Sequence, residues 1–348
     1  MQKSILSSIL LLGAVCAQAN NYTVTSPNGK LVMNVKCEGG KASYTVDLNG
    51  KQMLAASALG LVANYGDFSQ GLTMGALKGA PKHLTYVMDH TKKSHVEKDV
   101  YEATIGFLNA KKDSMTLHLH VSDNDVAYKY EMIRPKKDNP KSVIIYNKVS
   151  GFNFPEKTTT FLCPQITPMT GWERTKPSYE EEYTPNAQMN VKSQFGVGYT
   201  FPCLFKVGED GWVLVSETGV SSAYPGSRLS DYEPGKGYTV AFPQKGENNG
   251  LGSEFAGIPL PGETPWRTIT IGASLAPIVE TTIPFDVVEP LYEASQNYKP
   301  SRYTWSWLIW QDNSVNYDDQ VKMIDVAAAQ GYEAILVDGL WDKQIGRK

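Results

Sequence analysis

The chain has 348 residues, with 33 Lys and Arg set against 36 Asp and Glu for a formal net charge of -3. A balance so near neutral, with no long basic run, excludes a polyanionic partner such as nucleic acid held by bulk electrostatics. The length allows a large core or more than one domain, and four cysteines in so long a chain are not a disulfide framework.

The first elements are a positive flank at Lys3, an apolar run from Ile5 to Val15 and the small-x-small triplet Ala17-Gln18-Ala19. They predict a signal peptide over residues 1–19, with Asn20 as the mature N-terminus and an exported, periplasmic protein. The run falls short of the roughly 20 apolar residues that a membrane span needs. A lipid anchor on Cys16 would want a small residue where Val15 stands. Cys37, Cys163 and Cys203 then remain, and they are expected to be buried thiols.

Residues 20–284 read as β throughout, in short alternating runs without a useful helical period. Ser43 to Leu48 and Lys51 to Leu54 flank Asn49-Gly50, a pair that tolerates the positive φ angles of a type I′ hairpin turn. Met115, Leu117, Leu119 and Val121 alternate with Thr116, His118 and His120, and Val126, Tyr128 and Tyr130 resume the pattern on a partner strand. These are antiparallel strands with one buried face. His118 and His120 share a parity that could suit a metal, but without a third ligand they read as a solvent-facing pair. The turn Gly208-Glu209-Asp210-Gly211 and the run Gly211 to Ser216 continue the rhythm. So many one-sided strands need a second sheet, and the region is expected to be mostly β, a large antiparallel two-sheet β-sandwich.

Pro284, Pro290 and Pro300 punctuate a polar connector over residues 285–300. Residues 301–348 change grammar to strand, helix, strand. Trp305 and Trp307 share strand parity, and Trp310 lies at the strand's end. Asn316 is placed as an N-cap with Asp319 three residues on, Val321, Ile324 and Ala328 lie on one helix face, and Gly331 closes the helix. Ala334 to Val337 is a continuous apolar run of the kind a parallel strand shows when covered on both sides.

Four stretches carry a family resemblance: Thr264-Pro265-Trp266-Arg267-Thr268-Ile269, the segment from Gly211 to Pro225, the Trp-rich run from Tyr303 to Trp310, and Leu336-Val337-Asp338-Gly339. The chain resembles glycoside hydrolase family 97, bacterial exo-acting α-glucosidases and α-galactosidases in which a large β-sandwich precedes a (β/α)8 barrel. The resemblance implies that residues 301–348 are the first β-α-β unit of that barrel. A barrel needs about 250 residues, so the chain is expected to be truncated.

Barrel active sites lie at the C-terminal ends of the strands. That places Gln311 and Asp312 after the first strand and Asp338 after the second as candidates for binding sugar hydroxyls. Trp310 and Trp341 are candidates for stacking on a pyranose, because an indole face is apolar and quadrupolar. Tyr179-Glu180-Glu181-Glu182-Tyr183 resembles a Tyr-Glu-x-x-Tyr element of the family, which implies that Glu180 is a calcium ligand, with the other carboxylates drawn from later barrel loops. Glycoside hydrolysis uses two carboxyl groups across the scissile bond. The family takes both from strands beyond the second, so no catalytic residue is assigned here and the chain alone is expected to be inactive. The implied partner is an oligosaccharide with a terminal α-linked glucose or galactose. The alternative is a non-catalytic carbohydrate-binding β-sandwich, whose sugar site would lie on the β-domain alone.

Overall fold

Hairpin turns set the first sheet. Gly39 and Gly40 (φ 57° and 75°) join the strand Leu31–Glu38 to Lys41–Leu48, and Asn49 and Gly50 (φ 52° and 73°) join Lys41–Leu48 to Lys51–Ala58. Two consecutive positive φ angles define the type I′ turn, whose twist matches that of the strands it joins. With Asn20–Thr25 on the outer edge these strands form a four-stranded antiparallel sheet. The computed structural model describes residues 20–88, 91–135, 139–169, 181–247, 250–293, 295–296, 299–339 and 341. The expected signal peptide lies outside them. Among the described residues no helix is long and apolar enough to cross a membrane.

The chain divides into two units, Met1–Glu289 and Pro290–Lys348, and the division falls inside the proline-punctuated connector. In the larger unit a ten-stranded sheet runs antiparallel across its centre. Trp266–Gly272 lies at its middle, between Gly211–Thr218 and Asp125–Met132. Beyond Asp125–Met132 come Ser114–Val121, then the long hairpin His95–Leu108 and Thr73–Val87. Smaller antiparallel sheets join Ser142–Lys148 to Leu61–Ala63 and to Ala256–Pro259, and Gly151–Phe152 to Tyr238–Ala241. The unit is mostly β with multiple antiparallel sheets, consistent with the expected sandwich.

Aromatic side chains stitch the layers. Tyr44 of the first sheet meets Tyr128 of the large one with ring centroids 5.6 Å apart, and its hydroxyl donates to the Gly151 carbonyl at 2.9 Å. The Tyr130 hydroxyl accepts from the Gly60 backbone N–H at 2.8 Å, and Phe154 stacks on Phe205 at 4.0 Å. A hydroxyl that finds a partner lets a tyrosine enter a core without leaving a polar atom orphaned.

Three expectations are corrected here. The strand Asp125–Met132 is not buried on one face only, because the consecutive residues Val126, Ala127 and Tyr128, whose side chains alternate between the two faces, are all fully inside. Two short helices, Ala276–Glu280 and Ile283–Val287, close the region read as strand and loop alone. Cys37 and Cys203 are buried free thiols, but Cys163 is half-exposed. The helices are tied to the sheet by buried acids. Asp125 accepts from Thr270 and Thr281 at 2.6 and 2.7 Å, and Asp286 pairs with Lys98 and accepts from Tyr86 at 2.5 Å.

Candidate functional site

In the smaller unit Tyr303–Trp305 and Ala334–Leu336 pair in parallel, Trp305 opposite Leu336, with the helix Tyr317–Ala329 as the crossover. The Asn316 side chain accepts from the Asp319 backbone N–H at 3.0 Å, so the cap expected from sequence holds the first turn. Gly331, at φ +67°, follows the helix in the left-handed region that favours glycine.

The buried side of this helix is not Val321, Ile324 and Ala328. Met323 and Ala327 are buried, while Ile324 and Ala328 are exposed. Thr304 donates to the Met323 carbonyl at 3.1 Å, which turns the 323 and 327 positions toward the strands, one residue round from the expected stripe.

The first strand also ends earlier than its tryptophans suggest. It stops at Trp305, and Trp307–Trp310 is a short helix, so Trp305 and Trp307 share no strand parity and Trp310 is not at a strand end. Ser306 is responsible. Its buried hydroxyl accepts from Ser314 at 2.9 Å and from Gln320 at 2.8 Å, which draws the chain out of the extended form. Trp305 and Trp307 are instead stacked, with centroids 5.5 Å apart.

Asp338 lies two residues beyond its strand and is held at both oxygens. Trp305 Nε1 donates to Oδ2 at 2.9 Å, and the Gly339 N–H donates to Oδ1 at 2.6 Å. Trp305 is thus a positioning residue that the sequence did not single out, and only its parallel register with Leu336 reveals the pairing. Trp310 is 39% exposed beneath the Lys322 ammonium, 5.6 Å from its ring centroid, and Trp341 is 60% exposed. Gln311 sits exposed at φ 57°. No hydrogen bond or ring contact among the described residues joins Trp310, Gln311 or Trp341 to Asp338. The Asp312 side chain and all of Glu180 lie outside the described residues. Among the described residues no group of three or more His, Cys, Asp or Glu could hold a metal ion.

In the larger unit the histidine pair is not solvent-facing. His120 is 1% exposed, its Nδ1 3.6 Å from Glu102, whereas His118 Nε2 lies 2.9 Å from Glu131 at the half-buried margin. His120 and then Lys82 hold the Glu102 carboxyl down at about 2. A pocket of about 230 Å³ lies beside them, with Lys78, Glu102, His118, Lys129, Leu119 and the half-buried Trp266 in its lining.

The larger unit is mostly β with multiple antiparallel sheets, and the smaller is a parallel β-α-β unit with a carboxylate fixed after its second strand. Residues 24–290 match the family described as Glycosyl-hydrolase 97 N-terminal, and the chain belongs to that family. It is similar to a crystal structure of a beta-arabinopyranosidase at 50% identity and a TM-score of 0.88, covering 94% of this chain and 52% of that one. It shares the fold of a Glycoside Hydrolase Family 97 enzyme from Pseudoalteromonas sp. strain K8, solved with panose and with acarbose, at 20% identity, a TM-score of 0.74 and coverage of 92% and 48%. The chain spans about half the length of these solved structures. No match was found among curated proteins.

Proposed function

We propose that the protein carrying this sequence is an exported exo-acting glycosidase for terminal galacto-configured pyranosides, with the present chain supplying its sandwich and the opening of its barrel. The observation that carries this is the 50% identity to a beta-arabinopyranosidase across 94% of the chain. Sugar chemistry reconciles that activity with the α-galactosidases of the family. A β-L-arabinopyranoside has the ring configuration of an α-D-galactopyranoside without its C6 hydroxymethyl group, so one set of ring contacts serves both. Where the C6 group meets apolar side chains rather than hydrogen-bond partners, losing it costs on the order of 1–3 kcal/mol of discrimination, which leaves either sugar accessible. An α-glucoside inverts the C4 hydroxyl and misplaces a hydrogen bond instead.

Asp338, its carboxylate oriented by Trp305 and Gly339, is the acceptor for a hydroxyl of the terminal sugar. Gln311 adds a hydrogen bond, and Trp310 and Trp341 offer exposed indole faces for stacking. Calcium enters through Glu180 alone, and one carboxylate is a small share of the six to eight oxygens that the ion takes. The described residues do not complete such a set.

The test is kcat/KM of the complete protein on aryl β-L-arabinopyranoside, α-D-galactopyranoside and α-D-glucopyranoside. The two galacto-configured substrates should be turned over well ahead of the glucoside, and Asp338→Asn should lower both together. A preference for the glucoside would contradict the assignment.

A further inference from the structure

Arg267 stands in the central strand of the ten-stranded sheet and is 0% exposed. Its Nη1 donates to the Glu217 carboxylate and, at 2.8 Å, to Ser227 Oγ, whereas Nε and Nη2 meet no acceptor. Lys148, at the end of the strand Ser142–Lys148, is as deeply enclosed at 1%. Its ammonium lies 5.2 Å from the Tyr224 ring centroid and 5.9 Å from that of Tyr130, and it too meets no acceptor. The buried hydroxyls of Tyr224 and Tyr128 lie alongside, Tyr224 facing the Arg267 guanidinium and Tyr128 facing Ser150 and Tyr44.

The unmet groups are of one kind. An ammonium and two guanidinium N–H positions only donate. The charges do not balance either, because the cluster has two cationic side chains and Glu217 is the one carboxylate that acts on Lys148. Buried donors ordinarily have partners, and a buried charge is ordinarily matched. Water would offer acceptors but no charge. A small anion offers both.

We propose that Lys148, Arg267 and Tyr224 form an internal binding site for a monovalent anion of halide size, with chloride its natural occupant in a saline medium. The aromatic rings of Tyr130 and Tyr224 flank the ammonium, and every contributing side chain is enclosed, which favours a single-atom ion over a bulky or divalent oxyanion. The bound ion fastens the end of Ser142–Lys148 to the middle of the large sheet. In agreement, burial first and Arg267 second push the Lys148 ammonium well below the usual lysine range, with Glu217 opposing, as expected of a cation whose counter-charge is incomplete. The site is independent of the glycosidase assignment.

The test is the thermal midpoint of the whole chain, dialysed into sodium gluconate and then titrated with sodium chloride or bromide at constant ionic strength. Both halides should raise the midpoint by about 3 °C or more at saturation. Gluconate at the same ionic strength should not. Lys148→Met, which keeps the length of the side chain without its charge, should abolish the halide dependence. Equal midpoints in chloride and gluconate, or undiminished halide dependence in Lys148→Met, would overturn the proposal. Should that variant not fold, crystals of the unaltered chain grown in bromide decide: an anomalous peak at the Lys148 ammonium supports the site, and its absence there sinks it.

Discussion

The two units bury their apolar side chains to very different degrees. In Met1–Glu289 the alternating residues of Leu31–Glu38, Lys41–Leu48 and Ser114–Val121 are almost all enclosed, and the large rings of Tyr44, Tyr128 and Phe205 are wholly so. In Pro290–Lys348 the crossover helix buries only Met323 and Ala327 among its described residues, while Leu308, Ile309, Trp310 and Trp341 are exposed. Hydrophobic burial is the term that offsets chain entropy, and a unit that removes little apolar surface from water gains little from it. The sandwich therefore stabilises itself. The β-α-β unit presents an apolar surface of the kind that marks an interaction face. The candidate sugar contacts Asp338, Trp310, Gln311 and Trp341 belong to this second unit, so their final geometry depends on what that face packs against.

The contrast is broken most severely by opening the sandwich at its buried charges. Glu217→Ala leaves the Arg267 guanidinium without its carboxylate and should cost about 3–5 kcal/mol, read from the urea midpoint of the sandwich. A loss below about 1 kcal/mol would show that the pair contributes little. The corresponding pair of the smaller unit, Arg302 and Glu333, lies 3.6 Å apart and largely in solvent. Glu333→Ala should leave the same curve unchanged.

A smaller effect is expected at the crossover helix, where Asn316→Ala removes the cap and should cost about 1 kcal/mol. Faster amide exchange confined to the first turn of Tyr317–Ala329 would show it. The smallest effect is one of pH. Glu102 has its folded value lowered from 4.5 to about 2, so its contribution is complete above 4.5 and is lost as the pH falls through 2. The side chain is 42% exposed, so solvent screening holds this to less than about 1 kcal/mol. Glu102→Gln should flatten that part of the acid limb of a denaturation curve. An unaltered limb would mean that His120 and Lys82 do not act on Glu102 as described.

What was legible in the sequence was local. Asn49-Gly50 states its own turn, Asn316 with Asp319 states its own cap, and the alternation from Met115 to Val121 states which face is buried. The missed features depend on residues far apart in the chain. Nothing around Trp305 marks its bond to Asp338, 33 positions away. Ser306 ends the strand through Ser314 and Gln320, partners that no periodicity places beside it. Arg267 lay inside a stretch singled out for family resemblance, yet its burial follows from Glu217, 50 positions earlier, and from strands on both sides. A charged residue within the apolar run Trp266–Gly272 was the available signal. His120 was misread for the same reason, since its parity matches that of half-exposed His118 while its neighbours differ.

Hydrogen–deuterium exchange on the whole chain, followed peptide by peptide, tests the central contrast most directly, because local opening free energies track buried apolar contact. Peptides from Leu31–Leu48, Ser114–Met132 and Trp266–Gly272 should exchange only through global opening and stay protected together. Those spanning Tyr303–Leu336 should exchange much earlier and independently of the sandwich. Equal protection in both sets would contradict the account, since the β-α-β unit would then be held as firmly as the core it follows.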